Sequence, residues 1–130
     1  MARFFLVCGA IAGALSVMLG AFASHALEGR LLERSLEVFA TGVRYQMHHA
    51  LALVLVGTLL SLQPKSSVWL NISGISFIIG MIIFSGSLYL LGFLGIPWMG
   101  AITPIGGVAF IVGWSCLAIG ALNVQLSPKL

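Results

Sequence analysis

Residues 68–94 read VWLNISGISFIIGMIIFSGSLYLLGFL, a run with no charged side chain. A helix of this length rises about 40 Å, against a bilayer hydrocarbon core of about 30 Å, so it crosses a membrane with some tilt. Gln63-Pro64-Lys65-Ser66-Ser67 precedes it as a turn, because Pro cannot continue a helix and Ser can cap the next one. Gly95-Ile96-Pro97-Trp98 breaks it. Outward from this run lie three more apolar stretches, about Phe4–Ala26, about Tyr45–Leu62 and about Thr103–Gln125. The last is expected to start with Thr103 as N-cap and Pro104 at the first helical position. In the first, Ala21-Phe22-Ala23 imitates a signal-peptidase site behind Arg3. A secretory signal has an apolar core of only about 7–15 residues, so this longer stretch is expected to be a retained first helix.

The composition agrees. Of 130 residues, 60% are apolar and 7% charged, whereas an average soluble domain is about a quarter charged. That excludes an ordinary soluble globule and a disordered chain, and four spans of about 20 residues use nearly all the apolar residues. The expected fold is all-α: a polytopic membrane protein, one domain over residues 1–130, with four transmembrane helices and a short amphipathic surface helix between spans one and two. That last element covers Leu27–Gly42. Leu32, Leu36, Phe39 and Val43 form one helical stripe, with Glu28, Arg30, Glu33, Arg34 and Glu37 on the remainder, a pattern suited to lying along the membrane surface.

The net charge of +3 comes from few residues. Arg3, Lys65 and Lys129 stand alone, and without a Lys/Arg cluster no nucleic-acid partner is expected. Spans placed alternately put those three on the face of the termini and Arg30, Arg34 and Arg44 on the other. The tie leaves the positive-inside rule undecided. The acidic neighbours of Arg30 and Arg34 favour cytoplasmic termini. Cys8 and Cys116 sit inside apolar stretches in no CxxC or Cys/His spacing and read as small packing residues.

Helix association in lipid relies on close packing at small residues. Gly106, Ala109, Gly113, Cys116, Gly120 and Asn123 follow alternating three- and four-residue steps in span four. Span one carries Gly9, Gly13, Ser16, Gly20 and Ser24, and span three Ser73, Gly80 and Ser87. These seams imply a tight four-helix bundle, and the GxxxG in span one equally suits a homo-oligomer.

The uncommon polar side chains converge on the face opposite the termini: His25, Arg44, Tyr45, Gln46, His49, Ser85, Ser87, Tyr89 and Thr103. Two readings stand. Tyr, His and Arg rest comfortably at lipid headgroups as an interfacial belt, whereas ionisable groups within spans mark a functional pocket. Arg44, always charged, is expected to turn inward to Glu37 or a backbone carbonyl near Thr103. Haem ligation by His25 with His48 or His49 lacks a CxxCH motif and room between smooth helices. A zinc site lacks ligands beyond Glu37. Phe84-Ser85-Gly86-Ser87 offers a serine without a base or an orienting acid. No HExxH, GxSxG or Walker pattern occurs. No catalytic residue, metal or cofactor is expected.

Four motifs in order carry a resemblance: Gly20-Ala21-Phe22-Ala23-Ser24-His25-Ala26, Thr41-Gly42-x-x-Tyr45-Gln46-x-x-His49-Ala50-Leu51-Ala52, Phe84-Ser85-Gly86-Ser87-Leu88-Tyr89, and Thr103-Pro104-Ile105-Gly106-Gly107-x-x-Phe110-x-x-Gly113-Trp114. Over nearly the whole chain the sequence resembles the YgdD-like family of small membrane proteins, a domain-of-unknown-function family with bacterial inner-membrane members and mitochondrial relatives. One departure is Ser24, where the family often has a glycine-alanine pair before the histidine. The resemblance implies four transmembrane helices, supplies no catalytic assignment, and favours cytoplasmic termini in a bacterial inner membrane.

The expected activity is non-enzymatic: binding membrane lipid, a hydrophobic ligand, a membrane-protein partner or a second copy. The alternative is a small-solute or proton-linked transporter using the His/Arg/Tyr cluster. A passage needs polar groups through the whole bilayer, and here they stop near one face.

Overall fold

The computed structural model describes residues 1–63, 65 and 67–124. Expectations about Pro64, Ser66, Gln125 and the tail with Lys129 lie outside the described residues. Four helices are long and apolar enough to cross a membrane: α1 (Ala2–Leu27), α2 (Glu33–Leu62), α3 (Val68–Leu94) and α4 (Met99–Leu122). They run up and down, so the start of α1 and the end of α4 share one end of the bundle. The opposite end is called the far end below. The last turn of α1, Ala23–Leu27, and a turn within α3, Met81–Ser85, are π-helical. Such turns frequently mark functional sites.

Span three begins and ends where the sequence places it. Ser67 caps α3 by accepting from the Leu70 amide at 3.4 Å, and Gly95 closes it in the left-handed conformation at φ 65°. Two boundaries differ from expectation. The amphipathic segment forms no separate surface helix. It is helical from Glu33, but it runs on without a break as the beginning of α2. Gly42 does not interrupt it, because the missing side chain there admits Tyr89, whose ring lies 2.8 Å from where a Cβ would stand. Thirty residues rise about 45 Å, so α2 overreaches the hydrocarbon core by about 15 Å. Of the expected apolar stripe, Phe39 is buried in a cluster with Ala23 and Leu27, and Leu36, Val43 and Tyr89 pack against it. Leu32 stays exposed at the start of the helix.

The start of α4 is the second difference. The helix begins at Met99, after amide bonds from Met99, Gly100 and Ala101 back to Ile96, Pro97 and Trp98. Thr103 is therefore no N-cap but lies inside the helix with Pro104. Its hydroxyl lies 3.2 Å from the Met99 carbonyl. Pro104 is the sixth residue of the helix and lacks the amide that would bond the Gly100 carbonyl.

Most of the seam glycines work as the seams require, a large side chain filling the gap, while Gly13 meets only Ala50 and Ser24 and Asn123 are exposed. Between α3 and α4, Leu70 lies over Gly120, Phe77 over Gly113 and Phe84 over Gly106, and Phe110 lies over Gly80 in return. Each step of seven along α3 is answered by a step of seven backwards along α4. This is antiparallel knobs-into-holes packing. Between α1 and α2, Gly9 receives Val54, Gly57 receives Leu6 and Gly20 faces Val43. The core proper comprises Phe5, Leu53, Val56, Leu70, Phe77 and Phe110 with their neighbours.

Phenylalanine contacts join α1 directly to α3 at two levels among the described residues. The Phe5 ring seats in the gap at Gly74, 2.6 Å from a would-be Cβ. Toward the far end Phe22 meets Phe93 edge-on at 6.1 Å between centroids. Between these two contacts the helices part.

Candidate functional site

Among the described residues, three hydrogen-bonded pairs tie the spans together, and each draws on residues singled out in the sequence. The first joins α1, α2 and α3. Gln46 is buried, donates through Nε2 to the Ala12 carbonyl at 2.9 Å and accepts the Tyr89 hydroxyl on Oε1 at 2.7 Å. Both ends of the amide are thereby satisfied inside an apolar bundle. The Tyr89 ring also packs on Phe39, with centroids 4.9 Å apart.

The second pair joins α2 to α4. His49 is buried and its ring stacks flat on Phe110, with centroids 3.4 Å apart and planes at 8°. Trp114 Nε1 lies 3.1 Å from His49 Nε2, and His49 Nδ1 lies 2.6 Å from the Tyr45 carbonyl. An indole N–H can only donate, so Nε2 accepts and Nδ1 carries the hydrogen that it donates to Tyr45. The neutral Nδ1–H tautomer satisfies both contacts. Tyr45 extends the aromatic face by stacking on Phe84, with centroids 4.5 Å apart.

The third pair joins α3 to α4. The hydroxyls of Ser87 and Thr103 are 2.7 Å apart, and each also faces a carbonyl of its own helix, Phe84 or Met99. Two hydroxyl hydrogens serve three contacts, so one hydroxyl donates to the other and one carbonyl goes without.

The nine expected site residues thus divide. Gln46, His49, Ser87, Tyr89 and Thr103 bond across helices, and Tyr45 lends its carbonyl and ring. Ser85 is fully buried, but its hydroxyl has no hydrogen-bond partner among the described residues. His25 is exposed on the π turn that ends α1 and does not join the others. Arg44 does not turn inward. It is exposed and donates to Thr41 Oγ1, one turn back on its own helix, at 3.2 Å, in place of Glu37 or a carbonyl near Thr103. Among the described residues no three His, Cys, Asp or Glu side chains come close enough to hold a metal ion.

Between Phe5 and Phe22, where α1 and α3 part, lies a groove of about 350 Å³. Cys8, Ile11 and Leu15 of α1 form one wall and Ile78, Met81 and Ile82 of α3 the other, with Gln46 and Tyr89 on the floor. Small-molecule sites start at about 300 Å³ and are lined mainly by apolar side chains. The floor's polar groups already bond each other, so the groove offers an apolar surface. Ile11, Leu15 and Ile82 are about half or more exposed, so it opens sideways, where lipid surrounds the bundle. Sequence reading missed this groove. Cys8 reads as a small packing residue, and the void exists only because two helices diverge. Trp114 lay in plain view as part of the fourth motif. A donor-only side chain in an apolar helix is the signal that a buried acceptor waits nearby.

A family model described as "Protein of unknown function (DUF423)" matches residues 19–107. The UPF0382 membrane protein YwdK of Bacillus subtilis is 44% identical over 122 residues, covering 93% of this chain and 98% of that protein. A UPF0382 membrane protein of Staphylococcus haemolyticus is 41% identical over 93% of this chain and 97% of its own length. The UPF0382 inner membrane protein YgdD of Escherichia coli K12 is 35% identical over 95% of this chain and 92% of its own. No solved structure matches.

Proposed function

We propose, for a chain that belongs to the DUF423 family and is a multi-pass membrane protein, that it acts by holding the apolar chain of a membrane lipid and not by catalysing a reaction. Its termini lie on the cytoplasmic side of a bacterial inner membrane in this reading. The observation that carries it is the sideways-opening groove between α1 and α3, closed above and below by phenylalanine contacts. Its walls supply dispersion contacts on both sides of a chain, and its floor demands no hydrogen bond from the occupant. The polar groups support binding over passage. Gln46 with Tyr89 and His49 with Trp114 hold each other across helices instead of lining a route through the bilayer.

Native mass spectrometry of protein extracted with its lipids tests this. Wild type is expected to keep a lipid adduct through mild delipidation. Ile11→Trp, which fills the groove from an exposed position, is expected to lose it. An adduct indifferent to Ile11→Trp overturns the reading. So does pH-dependent solute flux in reconstituted vesicles that His25→Ala abolishes, the outcome a proton-linked transporter requires.

A further inference from the structure

Gly86 stands apart from the other glycines. Nine glycines within the helices have a neighbour closer than 3.0 Å to a would-be Cβ, and helix packing accounts for them. Gly29 and Gly95 have positive φ, which accounts for those two. Gly13, Gly20, Gly100 and Gly107 face a neighbour at 3.5–4.0 Å. Gly86 has a right-handed helical backbone and nothing within 4 Å. A glycine inside a helix is unfavourable relative to alanine, and no contact within the protein explains this one. It directly follows the π turn Met81–Ser85.

The surface around Gly86 shows what its missing side chain leaves open. A second groove, of about 470 Å³, runs between α3 and α4, with Ile83, Leu90, Met99 and Ile102 among its walls. It shares Ile82, Gly86 and Tyr89 with the groove between α1 and α3. The two grooves lie on either side of the outward crest of α3. Ile75, Ile79, Ile82, Leu90 and Phe93 raise that crest, and at Gly86 it drops to bare backbone. The first groove is closed toward the far end by Phe22 on Phe93. The second reaches Met99, where α4 begins, and so approaches that end.

We infer that a single phospholipid acyl chain threads both grooves. It descends from the far end between α3 and α4, crosses α3 at Gly86, and ends between α1 and α3 near Cys8. The inference rests on the lipid-binding reading above and adds the path and the entrance. Length supports it. From Leu90 to Ile78 the grooves extend about 18 Å along α3, while one leaflet's hydrocarbon is about 15 Å deep. Met81 is the middle residue of α3, so Ile78 lies just past the bilayer midplane and Leu90 toward the far interface. A chain anchored by a headgroup at that interface therefore reaches the end of the first groove. The walls and the crossing carry no free polar group, which suits a saturated hydrocarbon and not a headgroup.

Phosphatidylglycerol carrying a photoactivatable diazirine on one acyl chain tests the path, with cross-links mapped by peptide mass spectrometry in reconstituted vesicles. A diazirine at the chain terminus is expected to mark Cys8, Ile11 and Ile78. One placed near the carboxyl end is expected to mark Leu90, Met99 and Ile102. Gly86→Leu raises the crest and is expected to cut the terminal cross-links to Cys8 and Ile11 at least fivefold, with those to Met99 and Ile102 retained. Gly86→Ala, which enlarges the crest least, is expected to fall between the two and guards against a folding defect in the leucine variant. Terminal cross-links that persist unchanged in Gly86→Leu overturn the crossing while leaving the groove occupied. Displacement of the probe by a polyprenyl lipid, but not by unlabelled phosphatidylglycerol, overturns the choice of occupant. No marking of the first groove even in wild type removes the lipid-binding reading itself.

Discussion

Trp114 on α4 donates its indole hydrogen to Nε2 of His49 on α2 at 3.1 Å, the side-chain hydrogen bond that joins those two helices among the described residues. His49 is buried while Trp114 is about half exposed, so the acceptor depends on the indole for its partner. Trp114→Phe keeps a ring against Phe77 but removes the donor. The expected loss is about 0.5–1.5 kcal/mol, in the range measured for hydrogen bonds between transmembrane helices. Pairing it with His49→Phe completes a double-mutant cycle, read by thermal unfolding in detergent. The double variant is expected to lose less than the two single variants together, because no polar group is then left unpaired. Strict additivity would show that the bond contributes nothing.

Gln46 and Tyr89 give a sharper asymmetry. Tyr89→Phe strips only the hydroxyl, leaving Gln46 Oε1 buried without its donor. The expected cost is about 1–2 kcal/mol. Gln46→Leu with Tyr89→Phe removes the orphan and is expected to recover part of that loss. Both are measured as shifts in unfolding midpoint in the same detergent.

What the sequence made legible follows from where its signals are local. The limits of α3 rest on Ser67 and Gly95, residues that act within one turn, and they are correct. The start of α4 was drawn too late because Pro104 suits a first helical position, yet the chain entered the helix one turn earlier through a tight turn at Ile96–Ala101. The small-residue seams of spans one, three and four implied a tight bundle, and α3 does pack closely on α4 at Gly80, Gly106, Gly113 and Gly120, but they did not say which helix faces which. They could not show the groove, which depends on α1 and α3 touching at Phe5 and Phe22 and parting between. The polar candidates were drawn toward the far end, yet Gln46 bonds Ala12 and His49 packs on Phe77, both near the middle of their helices, and pairing them needs the rotation of each helix. In a helix apolar all round, periodicity does not supply that rotation. Arg44 was turned inward on the strength of its neighbours, although a long cationic side chain on a helix surface can carry its head toward water along its own apolar stem.

The position of Arg44 sets a third expectation. Exposed and bonded only to Thr41 on its own helix, it leaves no buried acceptor unpaired when removed. Arg44→Leu and Arg30→Leu are both expected to change stability by less than about 0.5 kcal/mol, as exposed surface substitutions do. A loss of about 2 kcal/mol from Arg44→Leu alone would mean that the guanidinium anchors other helices after all.

Two glycines on neighbouring helices separate packing from open surface. At Gly113 a new methyl would stand 2.6 Å from the Phe77 ring, itself fully buried and edge-on to Trp114. The ring has no free end to swing aside, so the helices must separate or Phe77 must leave its rotamer. Overpacking of this kind costs about 1–3 kcal/mol. At Gly86 the same methyl meets nothing within 4 Å. There the only change is the gain of helix propensity, up to about 1 kcal/mol in favour of the folded state. The identical substitution is therefore expected to lower the unfolding midpoint at Gly113 and to hold or raise it at Gly86. Thermal denaturation of both variants, purified in one detergent, decides the matter. A drop at Gly86 as large as at Gly113 would mean that Gly86 is a packing residue, with the crest of α3 covered by protein instead of lipid.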